Sequence, residues 1–317
     1  MVIFNSVSEI REKLRHPAVT IGNFDGVHLG HREIFRRVRE LAREQDGVSV
    51  VITFVPHPLQ VIAPERGVKL ITTAKEKESL IEASGIDYLL EIPFDMDFAS
   101  ISAADFVERV LVGAIGVERL VIGYDYAFGR GREGNVTLLR ELGERFSYSV
   151  ELLQPISNGA TVYSSTAVRN MVMEGDVKGV VSVLGRHYGV TGTVVHGHRR
   201  GRGLGFPTAN LETDKDLLPA AGVYAVKVRV GGALLDGACN IGTNPTFGNE
   251  KLSLEVFLFD FDGDLYGREV TVFFFERLRA EMRFADLRAL KDAIAADVAR
   301  CRVILKDAEV TEAEGGG

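Results

Sequence analysis

Two histidines three positions apart, His28 and His31, close a glycine-rich stretch that reads Gly22-Asn23-Phe24-Asp25-Gly26-Val27-His28-Leu29-Gly30-His31. On a helix that spacing puts both rings on one side of a turn, where imidazoles suit the stabilisation of charge on an anion. Phosphoryl and nucleotidyl transfer depend mostly on positioning and on stabilising charge at the non-bridging oxygens, and no protein nucleophile is required. A zinc pair would want further ligands nearby, and neither Cys239 nor Cys301 stands in a metal-ligand spacing. The stretch therefore reads as a nucleotide-phosphate site.

The surrounding pattern supplies the elements that such a site needs. Residues 18–21 are an apolar run with the look of a buried strand, and the glycines after it force a turn. Ile34, Phe35, Val38 and Leu41 then recur at helical spacing. A helix is expected to begin near Gly30, with its unsatisfied amides and positive dipole end facing the phosphate. Strands are expected over 48–54, 88–92 and 119–122, and helices over 74–84 and 103–111. This alternation builds a parallel sheet covered by helices, with ligands at the carboxyl ends of the strands. From about residue 190 onward the pattern changes to short strands between turn residues, over 190–195, 222–230, 234–240, 253–259 and 269–275. A β-barrel closed by a helix over 285–305 is the natural reading.

Further candidates stand just after expected strands. His57, bracketed by Pro56 and Pro58, is fixed in direction, which suits a ligand contact, although a plain turn would read the same. The loop Gly123-Tyr124-Asp125-Tyr126-Ala127-Phe128-Gly129-Arg130-Gly131-Arg132-Glu133-Gly134-Asn135 suits either ligand binding or a mobile surface. Ser164 or Ser165 would cap a helix running through Met173, and Ser165, Thr166 and Arg169 would also suit phosphate binding, since capping and anion binding are compatible. In the barrel half, the run from Gly197 to Asn210 carries Gly201, Gly203 and Gly205 among arginines, giving amides and cations for phosphate. It ends in Pro207-Thr208-Ala209-Asn210, a hydroxyl and an amide that are reasonable hard ligands for magnesium. Glu255 is an isolated carboxylate on the face opposite Leu252, Leu254, Val256 and Leu258. It can serve as a general base or simply as a solvent-facing strand residue.

Composition narrows the classes. The chain has 317 residues, is 46% hydrophobic, and carries a net charge of −7 with its basic residues scattered, which argues against a nucleic-acid-coating surface. Mean hydropathy is +0.08. There is no targeting segment at the start and no stretch of membrane-spanning length, so a cytoplasmic protein with no membrane partner is expected. Cys239 and Cys301 form no framework and read as reduced, partly buried thiols.

The histidine motif resembles the HxGH signature of the nucleotidylyltransferase superfamily, in the version found in bacterial bifunctional riboflavin kinase/FAD synthetases. Pro207-Thr208-Ala209-Asn210 resembles the riboflavin kinase signature, and Arg279 to Phe284 resembles the segment that covers flavin in that domain. The resemblance runs to about residue 305. It implies an α/β fold in which a Rossmann-like nucleotidylyltransferase domain (1–185) precedes a six-stranded riboflavin-kinase-like barrel with its terminal helix (186–310) and a flexible tail (311–317). It implies two transfers, from ATP to riboflavin giving FMN, and from a second ATP to FMN giving FAD, with Mg2+ as the divalent metal. His28, His31 and Arg169 would stabilise charge in the second transfer, and Glu255 would be the base in the first. Gly22, Phe24, Gly30, Ser165 and Thr166 would bind nucleotide in one half, and Gly201, Gly203, Gly205 and Thr208 in the other. Asn23, His57, Asp125, Phe128 and Arg132 would contact flavin, while Thr208 and Asn210 would hold the metal. Val55, His198 and Phe257 depart from the common family pattern without removing a proposed catalytic group. A monofunctional adenylyltransferase and a flavin-responsive RNA regulator are the competing readings. Intact Thr208, Asn210 and Glu255 disfavour the first, and the acidic charge disfavours the second. The sequence carries no signal for or against a homo-oligomer.

Overall fold

The computed structural model describes residues 1–157, 159, 161–196, 205–244 and 251–313. The chain divides into two compact units, Met1–Ser165 and Thr166–Glu312.

The first unit is built on six parallel strands: β1 (Val2–Phe4), β2 (Ala18–Ile21), β3 (Ser49–Val55), β4 (Tyr88–Pro93), β5 (Arg119–Gly123) and β6 (Ser149–Leu153). They lie in the order β1-β4-β3-β2-β5-β6. All four residues of β2 are buried, as the run of apolar and β-branched residues requires of a strand covered on both faces. One face packs Val19, Ile52 and Leu120 with Phe106 and Leu111, and the other packs Val51 and Leu89 with Phe35 and Ile81. The chain moves from β2 to β3 and β4 on one side, then returns to place β5 on the other. The end of β2 is thus the switch point where open α/β sheets bind ligands.

The expected helix over 103–111 is longer than the sequence suggests. A turn at Ala103–Phe106 runs on as a π-helix, Val107–Ile115. Gly113 accommodates the wider winding, since a Cβ there would come 3.0 Å from Glu108 O. A further βα unit, missed by the sequence reading, follows β5. Its helix, Val136–Phe146, is capped by Asn135 Oδ1 accepting from Leu138 N, and β6 comes next.

The second unit is a closed antiparallel barrel of β7 (Tyr188–Val195), β8 (Ala209–Glu212), β9 (Gly222–Val230), β10 (Ala233–Asn244), β11 (Lys251–Leu258) and β12 (Glu269–Arg279), in the order β10-β11-β8-β7-β12-β9. The expected α/β fold with a six-stranded barrel and terminal helix is therefore present. Inside the barrel lie Tyr224, Val226, Val256, Val272 and Phe274. Outside, Ala225 and Ala238 are covered by the Leu287–Leu305 helix through Cys301 and Leu305, with Phe257 and Phe259 against the same cluster.

Candidate active sites

The loop between β2 and the Leu29–Glu44 helix is folded back on itself. Phe24, Gly26 and Val27 have φ of 48, 86 and 39°. For a β-branched residue such as Val27 this left-handed conformation costs on the order of 1–3 kcal/mol. Asp25, which is 4% exposed, holds the loop in that shape. Its carboxylate accepts from Ile71 N at 3.0 and 3.1 Å, and from Thr72 N and Thr72 Oγ1 at 3.1 Å each. Thr72 Oγ1 in turn accepts from Gly26 N at 3.1 Å. Ser165 Oγ donates to Asp25 O at 2.8 Å, which ties the first residue of the Ser165–Glu174 helix to the loop. Thr166 and Arg169 follow on that helix.

The loop delivers His28 to the position just before the helix. Its ring stacks on that of His31, with centroids 3.6 Å apart and planes 26° from parallel, and buried Phe24 meets His31 edge-on at 5.2 Å. Gly30 is required by close approach, because a Cβ there would lie 3.0 Å from His28 Cε1. Gly22 leaves room for the Phe24 ring, 2.9 Å from where its Cβ would be. The stacked pair stands where the amide end of a helix favours an anion.

Beside the loop is a cavity of about 190 Å³, lined by Asn23, Phe54, Pro56, His57 and Lys77 among others. His57 caps the short Pro58–Ile62 helix, its Nδ1 accepting from Leu59 N at 3.2 Å, so the ring is fixed by more than its prolines. Asn23 and His57, both expected at the flavin, thus line one cavity. Asp125 and Arg132 are exposed, whereas Phe128 is buried against Phe106. Their loop is tied down at several points. Phe128 and Gly134 exchange backbone hydrogen bonds of 3.1 and 2.8 Å, Arg130 N donates to Ile101 O, and Glu133 Oε1 accepts from Ala103 N.

In the barrel the site is a row across strands. Asn210 of β8 and Asn240 of β10 are both the register partners of Glu255 on β11, one from each side. Directly opposed residues share a face, so the two amides flank the carboxylate. Thr208 Oγ1 donates to Glu255 Oε2 at 3.3 Å. Phe257, two residues along on the same face, packs against the cluster under the terminal helix, and both it and Glu255 are half-buried. Arg279, at the end of β12, grips Asp297 of the helix at 3.0 and 2.7 Å and lies over Phe284, 5.5 Å from the ring centroid. Glu281 passes so close to Gly242 that its Oε1 lies 2.5 Å from where a Cβ would be. Gly205 has φ of 89°, with no atom of the described residues within 4 Å of where a Cβ would be. Gly201 and Gly203 lie outside the described residues. Among the described residues no group of three or more His, Cys, Asp or Glu side chains is arranged to hold a metal ion.

A family model described as FAD synthetase matches residues 10–167, and one described as riboflavin kinase matches residues 184–305. The bifunctional riboflavin kinase/FMN adenylyltransferase of Pseudomonas fluorescens is 40% identical over 305 residues, which cover 96% of this chain and 98% of that one. The chain belongs to this family. The protein of the same description from Escherichia coli (strain K12) is 39% identical over 280 residues, covering 88% of this chain and 90% of that one. A solved structure from Streptococcus pneumoniae, described as a macrolide-efflux protein, superposes with a TM-score of 0.86 at 31% identity, over 95% of this chain and 98% of that chain. No helix among the described residues of the present chain is long and apolar enough to cross a membrane. The chain thus joins a nucleotidyltransferase domain to a kinase domain, as the motif resemblance implies.

Three contributors escaped the sequence reading. Asp25 lay within the quoted motif, but its bonds run to Ile71 and Thr72, far along the chain. Lys77 reads as one more polar residue of an amphipathic helix. The stretch from Asn240 to Gly248 suits a turn that shapes a nucleotide or flavin pocket as well as a plain turn, but the place of Asn240 beside Glu255 depends on register.

Proposed function

We propose that this chain makes FAD from riboflavin in two steps, one in each half. In the barrel half, the terminal ribityl hydroxyl of riboflavin attacks the γ-phosphorus of ATP. Glu255 accepts the hydroxyl proton, ADP departs and FMN is formed. Thr208 and Asn210 hold the phosphates and the metal. Mg2+ takes few protein ligands and fills the rest of its shell with water and phosphate oxygen, so a hydroxyl and an amide oxygen beside a carboxylate fit it. When bound, it supplies neutralisation of phosphate charge. Gly201, Gly203 and Gly205 would add amides to the same phosphates.

In the first half, a phosphate oxygen of FMN attacks the α-phosphorus of a second ATP, and pyrophosphate leaves. His28, His31 and the helix amides donate to the non-bridging oxygens, where charge grows. Arg169, with Ser165 and Thr166, neutralises the departing phosphates, while Gly22, Phe24 and Gly30 shape the loop around the nucleotide. Asn23 and His57 face the flavin ring, with Asp125, Phe128 and Arg132 from the second loop.

The contact between Thr208 and Glu255 at 3.3 Å carries this reading. It puts a base beside a phosphate-holding hydroxyl, which a barrel that merely bound flavin would not need. The functional division is assigned to 185/186, after the FAD synthetase match ends at 167 and just past the start of the riboflavin kinase match at 184. The compact unit begins earlier because the Ser165–Glu174 helix packs on the barrel half, with Ala220 N donating to Val172 O at 3.2 Å. A cytoplasmic setting agrees with Cys239 and Cys301 being free and buried.

The test is to incubate the protein with riboflavin and Mg-ATP and to resolve the flavins over time. FMN followed by FAD is expected. FAD from supplied FMN alone would leave only the adenylyltransferase, and no flavin product from either would end the proposal.

A further inference from the structure

The cavity beside His57 contains a charge that neither proposed step uses. Lys77, on the Ala74–Ala83 helix, is 8% exposed and lines the cavity. Its position is fixed at both ends. The helix start is closed by a capping box, with Thr73 N donating to Glu76 Oε2 at 2.9 Å and Glu76 N to Thr73 Oγ1 at 3.2 Å. Lys77 Nζ donates to Thr53 Oγ1 at 3.0 Å, and that hydroxyl donates to Asn23 O at 3.2 Å. An ammonium has three donors, and among the described residues the hydrogen bond to Thr53 occupies just one of them.

Burial pulls the Lys77 amine below its ordinary range, and the fields of Glu91 and Asp25 partly restore it. Burial pushes Glu91 up in turn. Glu91 is the register partner of Thr53 on the neighbouring strand and is 8% exposed. The Asp25 oxygens are already engaged by Ile71 and Thr72. An ammonium withdrawn from water with donors to spare is costly unless something accepts from it.

We propose that Lys77 is a specificity residue for the flavin ring, its ammonium donating to a carbonyl oxygen on the pyrimidine edge of isoalloxazine seated in this cavity. The assignment rests on the reading of the cavity given above. Phe54, Pro56 and Leu70 offer apolar walls suited to a flat ring. Among the described residues, Lys77 is the one Lys or Arg lining the cavity. A phosphate dianion in the same place would meet the fields of Asp25 and Glu91, and like charges repel strongly where water is excluded. A neutral carbonyl gains the hydrogen bond without that repulsion.

The test follows adenylylation of supplied FMN by the full chain, with lumiflavin, the ring without ribityl or phosphate, as a competitive inhibitor. In Lys77→Met, KM for FMN and Ki for lumiflavin are expected to rise together by about tenfold or more, as for loss of a charged hydrogen bond. KM for ATP and the rate of FMN formation from riboflavin should not change. If KM for FMN rises while Ki for lumiflavin does not, the ammonium reads phosphate and the proposal is overturned. Since Lys77→Met leaves Glu91 without its counter-charge, Lys77→Met/Glu91→Gln is measured beside it. The double variant is expected to melt like the wild type yet keep the weakened lumiflavin binding. Recovery of Ki along with Tm would make Lys77 a purely structural residue and overturn the proposal. A wild-type chain that makes no FAD from FMN fails the proposed function itself, an outcome distinct from both.

Discussion

The loop after β2 and the Glu255 row of the barrel, the two sites proposed for phosphate transfer, are held together differently. The loop is a short stretch of chain, bent through left-handed residues at 24, 26 and 27 and pinned by the Asp25 carboxylate. The row draws on residues 210, 240 and 255 from three strands, and only barrel register makes them neighbours. A slip of one residue in β11 would turn Glu255 to the interior and Leu254 out. The first site should therefore be sensitive to small backbone changes, and the second to its side chains and to anything that shifts the strands.

The largest effects should separate the two sites cleanly. Glu255→Ala is expected to lower FMN formation by about a hundredfold or more, the range for loss of a general base, while FAD formation from supplied FMN persists. His31→Ala is expected to do the reverse, lowering adenylylation by about 10²–10³ and sparing FMN formation. Both are read by chromatography of the flavins. Equal impairment of both steps in a folded variant would break the comparison.

A smaller effect tests backbone sensitivity. Gly30→Ala brings a methyl group within 3.0 Å of His28 Cε1 and must displace that ring from its 3.6 Å stack. Adenylylation is expected to fall by about tenfold, or roughly 1.4 kcal/mol, with no change in FMN formation. Gly205→Ala meets no atom of the described residues within 4 Å, so the loss there is expected to reflect the left-handed backbone and be smaller. Asp25→Asn puts an amide donor against backbone donors. It should cost about 1–3 kcal/mol, seen as a lower Tm and weaker adenylylation with intact kinase activity.

The smallest expected signal concerns the barrel wall. Burial pushes the Cys301 thiol up to about 12 and raises Cys239 as well. The thiolate is the reactive form, so at pH 8 both cysteines should resist thiol reagents in the native state and react once urea unfolds the chain. Labelling of either in the native protein would mean that the wall behind Glu255 opens readily.

The same contrast explains what could be read from sequence. The β2 loop was legible because strand, glycines, histidines and helix follow one another, and local pattern encodes local structure. β8 was not recognised as a strand, since Ala209–Glu212 is short and begins inside the Pro207–Asn210 motif. The Val136–Phe146 helix and β6 were overlooked behind the glycine-rich loop at 123–135 that precedes them. Glu255 could be singled out by alternation, but Asn240 beside it could not, because antiparallel register is set by the whole barrel. Lys77 and Asp25 act through residues distant in sequence, which periodicity does not report.

The central claim is that each half holds a complete site that borrows no catalytic group from the other. Mixing Glu255→Ala with His31→Ala protein in riboflavin and Mg-ATP tests this most directly. FAD is expected from the mixture and from neither variant alone, as FMN released by one is adenylylated by the other. A mixture that makes FMN but no FAD, with folded Glu255→Ala protein also failing to adenylylate supplied FMN, would contradict it.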